Sequence, residues 1–140
     1  MPKQQREWVY SPPKPSKPPV PESVKAEVTK LADALVDAVL KPKYIQPPPA
    51  SHEFQHNYLT DIFTKWYRGY FYFCSIYVCP GPNALSPSFE AKFARMEYLG
   101  KPSHFKLSFM RYTGEWVELY DNLPLDACLK AVSKETWFHP

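Results

Sequence analysis

A chain of 140 residues, 44% of them hydrophobic, is long enough to bury one core and short for two. Its net charge of +3 is mildly basic, well below the Lys/Arg density that by itself argues for nucleic acid. No uncharged apolar run reaches the roughly 18–20 residues that cross a bilayer, which excludes a membrane-spanning helix.

Residues 1–21 read as a basic, proline-rich arm. Lys3, Arg6, Lys14 and Lys17 outweigh Glu7, and SPPKPSKPPVP supports neither a helix nor a central strand, because proline fixes φ and removes a donor. Extended polyproline II or disorder is expected. Trp8, Val9 and Tyr10 form an apolar triplet suited to docking, either on the chain's own domain or on a protein partner. Pro12, Lys14, Pro15 and Lys17 fit P-x-x-P-x-K, a spacing that docks in aromatic grooves.

Glu22 to Lys41 predicts the first helix. Val24, Val28, Leu31, Ala32, Leu35, Val36 and Val39 recur at helical spacing, with Ser23 as N-cap and Pro42 as the stop. Residues 42–50 form an extended connector.

From Phe54 to Tyr67, apolar pairs alternate with polar pairs. Period two would put polar groups on both faces of a strand, whereas 100° per residue gathers the apolar positions into one arc. The pattern therefore predicts a helix capped by Ser51 and ended by Gly69. The competing reading is a pair of strands turning at Arg68-Gly69, favoured by the Tyr, Ile, Phe, Thr and Trp content. Tyr70 to Cys79 reads as a buried strand, ended by Pro80-Gly81-Pro82-Asn83.

A meander follows. Phe89 to Tyr98, Phe105 to Tyr112 and Glu115 to Tyr120 are the predicted strands, with turns at Gly100-Lys101-Pro102 and Thr113-Gly114. Phe105, Leu107 and Phe109 share one face. Leu125, Cys128, Leu129 and Val132 then mark a short helix, with Pro124 suited to its first turn. The expected fold is α+β: an antiparallel meander of about four strands packed with two or three helices, forming a single domain over 22–140.

The strings WVYSPPKP, KWYRGYFYFCSIYVCPGPNALSPSFEAKFAR and FMRYTGEWVELY resemble those of a family of small bacterial proteins, common in cyanobacteria, whose activity is uncharacterised. The resemblance runs over nearly the whole chain. It implies one intact unit and a bacterial cytoplasmic setting, and it brings no activity, fold or cofactor with it.

Met1 to Tyr10 has no apolar h-region, and an odd number of cysteines fits reduced thiols better than a disulfide framework. Both observations point to the cytoplasm, although Cys74 and Cys79 could pair in an oxidising compartment. Their spacing of five also places them on opposite faces of a strand, which disfavours metal chelation. Cys128, spaced helically with Leu125 and Leu129, reads as core.

Two motifs carry chemistry. His52-Glu53-Phe54-Gln55-His56 matches H-E-x-x-H, in which His52 and His56 would share a helix face and ligate zinc while Glu53 serves as general base. A zinc-dependent hydrolase is the alternative this raises. Nothing selects a third ligand among Glu90, Glu97, Cys74 and His104, so no cofactor is expected. The second signal is the meander face opposite Phe105 and Leu107, expected to carry Lys106, Ser108, Met110, Tyr112, Trp116, Glu118 and Tyr120. Rings interleaved with basic groups make a stacking platform for single-stranded nucleic acid, with Arg95 and Arg111 adding phosphate contacts. Four strands followed by a helix is also the repeat topology of the Pur-alpha and Whirly single-stranded-DNA binders. The competing reading packs these aromatics beneath the first helix, or beneath the arm through Trp8 or Tyr10. The best expectation is a non-enzymatic binding protein using Lys106, Arg111, Tyr112, Trp116 and Tyr120.

Overall fold

The structure, a computed structural model, describes residues 19–47, 57–80, 87–100 and 104–140. Helix α1 (Glu22–Leu35) passes through a π-helical turn (Val36–Leu40) into α2 (Lys41–Tyr44). Five strands follow: β1 (Tyr58–Tyr67), β2 (Tyr70–Val78), β3 (Ser88–Tyr98), β4 (His104–Met110) and β5 (Trp116–Pro124). Helix α3 (Leu125–Lys134) is the last of these elements. The strands pair antiparallel in sequence order, so the α+β meander class holds.

The fifth strand comes from the segment predicted to be helical. Residues 58–67 are extended, and the chain reverses at Arg68 (φ 51°) and Gly69 (φ 83°) between the paired Tyr67 and Tyr70. Two successive positive φ values make a tight hairpin whose twist matches the flanking strands. Two features disguise the strand in the sequence. The register with β2 shifts between Leu59 and Asp61, so Leu59 and Ile62 both reach the core although they are three apart. A polar residue also occupies the buried side: Thr64 lies under α1 and donates its hydroxyl to Asp33 Oδ1 at 2.5 Å.

Pro42 does not stop the first helix. The Lys41 N–H reaches back to the Val36 carbonyl, a wider i→i−5 turn that relieves the clash of a proline ring with the preceding turn. The helix then continues to Tyr44. Its N-cap is Pro21, with no side-chain cap, in place of the expected Ser23. At the other end, Pro124 is the N-cap of α3, and β5 runs four residues past Tyr120.

All the helical segments pack on one face of the sheet. Val28, Ala32, Val36 and Leu40 meet Ile62, Phe71, Phe73, Met96, Phe105 and Leu107, and α3 closes the other half with Leu125, Cys128 and Val132. Each fully buried ring or branched chain contributes roughly 1.5–3 kcal/mol, so this layer is what holds the fold. Cys128 is indeed core. Burial pushes its thiol up to about 12 and that of Cys74 up to about 11. Cys74, Cys79 and Cys128 are unpaired. No helix among the described residues is long and apolar enough to cross a membrane.

Candidate functional site on the open sheet face

Strand side chains alternate between faces, so whatever does not point at the helices points away from them. On β2 the sequence Tyr70-Phe71-Tyr72-Phe73 obeys this rule with one atom of difference per ring. The phenylalanines enter the core, and the tyrosines stand on the opposite face. Register extends that face across the whole sheet. Lys65, Tyr72, Arg95, Ser108 and Glu118 form one row over five strands, and Tyr67, Tyr70, Glu97 and Lys106 form the next. Trp116 pairs with Met110 at the side of the first row.

The rings and cations of this face touch. The Arg95 guanidinium lies 4.6 Å from the Tyr70 ring centroid and 4.7 Å from that of Trp116. Tyr72 sits 5.9 Å from Trp116 and 6.0 Å from Tyr70, and Lys92 approaches the Tyr72 ring at 5.6 Å. Such contacts fix a flexible cation over a π-face and leave the remaining donors directed outward. Beside them, Glu90 accepts from Lys65 at 2.6 Å and lies 3.6 Å from Lys92, above the buried Cys74. The Lys65 hydrogen bond holds the Glu90 carboxyl below its usual range, and the same bond raises Lys65. A groove of about 550 Å³ lies between Lys65, Tyr67, Tyr72, Lys92, Met110 and Trp116. The face carries four cations (Lys65, Lys92, Arg95, Lys106) and three carboxylates (Glu90, Glu97, Glu118). It is amphipathic and nearly neutral.

Of the residues expected from the sequence, Trp116 and Lys106 lie on this face, Lys106 paired with Glu118 at 3.7 Å. Tyr112 and Arg111 are at the β4–β5 turn, the former 96% exposed and the latter 3.9 Å from Glu115. Tyr120 is on the other side. Between Leu107↔Tyr120 and Ser108↔Glu118 the register leaves Leu119 as an extra residue, and that bulge turns Tyr120 toward α3. There its hydroxyl donates to Glu135 Oε2 at 2.7 Å, and its ring lines a notch of about 260 Å³ with Leu123 and Ala131. The expected trio of Tyr112, Trp116 and Tyr120 is therefore not assembled. In its place stand Tyr70, Tyr72 and Arg95 around Trp116. Arg95 was already among the expected phosphate contacts, and the signal that would have found Tyr70 and Tyr72 was the Tyr/Phe alternation of β2.

His52, Glu53 and His56, and the arm over residues 1–18, lie outside the described residues. Among the described residues, no group of three or more His, Cys, Asp or Glu is arranged to hold a metal ion.

Residues 20–140 match the family described as a domain of unknown function, DUF3024. The chain belongs to this family. The match takes in all the helices and all five strands of the described residues. No curated protein and no solved structure matches the chain.

Proposed function

We propose that this protein is a non-enzymatic binding protein whose open sheet face stacks the bases of single-stranded nucleic acid. The observation that carries the reading is Arg95 lodged between Tyr70 and Trp116, with Tyr72 and Lys92 adjoining, on a sheet surface that no described helix covers. Stacking on rings is tolerant of sequence, and the guanidinium offers phosphate-directed donors beside them. Interleaved carboxylates make the binding weakly electrostatic. Four cations set an upper bound of about −3 on the slope of log affinity against log salt for a single strand. A bacterial cytoplasmic setting, shared with cyanobacterial relatives, belongs to the same proposal and rests on the sequence resemblance and the unpaired thiols.

Fluorescence anisotropy of a labelled single-stranded oligonucleotide of about ten nucleotides tests it. At low salt the chain binds. Trp116→Ala and Arg95→Ala each weaken binding about tenfold or more, whereas Tyr120→Phe on the far face leaves it unchanged. Absence of binding at low salt, where electrostatic attraction is strongest, contradicts the proposal.

A further inference from the structure

We propose that the groove on the open face has a ligand within the chain itself: the proline-rich segment of residues 1–18, docked in cis between Tyr67, Tyr72 and Trp116. The argument begins with where that segment joins the domain. Helix α1 and its continuation run opposite to β1, because Thr29 bonds Trp66 at 3.1 Å, Asp33 bonds Thr64, and Lys41 pairs with Asp61 at 3.3 Å. From Thr29 back to Glu22 is about 10 Å at helical rise, and from Trp66 forward to Gly69 is about 10 Å at strand rise. The start of α1 therefore lies beside the β1–β2 hairpin. Val20 packs against the core just before the helix, so the point of departure is fixed.

The same hairpin holds the rings of the open face. Tyr67 and Tyr70 are its flanking pair, and Tyr72 follows on the same side. Since β1 is the edge of the sheet, a segment leaving α1 has one strand to pass before it reaches the groove. Eighteen residues at about 3.1 Å each reach roughly 56 Å, several times what that path requires.

The chemistry of segment and groove also agrees. Pro12, Pro13, Pro15 and Pro18 present ring edges that pack between aromatic side chains, and a polyproline strand loses little entropy on docking. The tether holds the segment at an effective concentration in the millimolar range, which favours the cis ligand over a second copy. Docking needs no nucleic acid, so it stands or falls apart from the proposed function.

Backbone relaxation of the full-length, isotope-labelled chain reads this directly. Docking gives residues 11–17 order parameters above about 0.6, and these fall below it in Trp116→Ala. The combined Pro12→Gly, Pro13→Gly and Pro15→Gly chain, which leaves the core untouched, releases the segment in the same way and shifts the Trp116 indole N–H signal. A mobile segment in the unmodified chain, with a Trp116 signal indifferent to the proline changes, overturns the proposal. So does a Trp116 shift that grows with protein concentration, because it would assign the groove to another copy's arm.

Discussion

On β2, Phe71 and Phe73 point toward the helices and are fully buried, whereas Tyr70 and Tyr72, one residue away, stand on the face that no described helix covers, Tyr72 being 8% exposed. The two faces are built from the same residue class in the same strand. On the covered face the rings meet aliphatic side chains from α1 and α3, and water is excluded. On the open face they meet the charged ends of Arg95 and Lys92, which lie over the rings, with Lys65 bonded to Glu90 beside them. For these four rings the difference lies in the phenol hydroxyl, which favours the face with polar neighbours. Stability resides in the covered face, and recognition is assigned to the open one.

The largest effect that could break this division is on the covered side. Phe73→Ala leaves a cavity in the core and costs about 3–5 kcal/mol in denaturant unfolding. Trp116→Ala, which removes a larger ring from the open face, costs only about 1–2 kcal/mol, because that ring is only partly buried. Equal losses for the two would show that the open face also holds the fold together. Next comes the hairpin that joins the faces. Gly69→Ala destabilises by about 1–2 kcal/mol through left-handed backbone strain alone, since no atom lies within 4 Å of an added Cβ. A neutral result would mean the turn relaxes to another type.

Smaller effects sharpen the contrast. At about pH 8, a thiol reagent reacts promptly with Cys79 in the native chain, while Cys74 and Cys128, whose thiols are raised to about 11 and about 12 by burial, react only after unfolding. Prompt reaction of Cys74 would mean that the layer of Lys65, Glu90 and Lys92 above it opens readily. The smallest effect is in Glu90→Gln. Because Glu90 titrates below its usual range in the fold, its contribution is present above that range and is lost as pH falls through the depressed value. The variant is therefore slightly less stable than the parent at neutral pH and equal to it in acid. A difference that persists in acid would assign the effect to packing.

Much of this could be read from the residues, and the failures have physical causes. Strands β2, β3, β4 and β5 and helix α3 follow from β-rich runs and from Gly and Pro at the turns. The segment 58–67 defeated periodicity because a bulge near Thr60 and a hydrogen-bonded Thr64 break the alternation that a strand is expected to show. Pro42 misled because a π-helical turn absorbs it. At the candidate site, Trp116 and Lys106 were legible from simple alternation along β4 and β5. Tyr120 was not, because Leu119 bulges and inverts the phase. Tyr70 and Tyr72 were hidden because Tyr and Phe are both aromatic strand-formers, so YFYF reads as one uniformly buried run.

The central claim is that ligand contact is confined to the open face. The tryptophans of the described domain are placed to test it: Trp116 is on that face, Trp66 lies under α1 bonded to Thr29, and Trp137 packs on Phe109 beyond α3. Titrating a single-stranded oligonucleotide into the labelled chain at low salt, and following the indole N–H signals, gives the answer in one experiment. The account predicts that Trp116 moves while Trp66 and Trp137 stay where they are. Movement of Trp66 or Trp137 with Trp116 unchanged, or no movement of any of them, would contradict it.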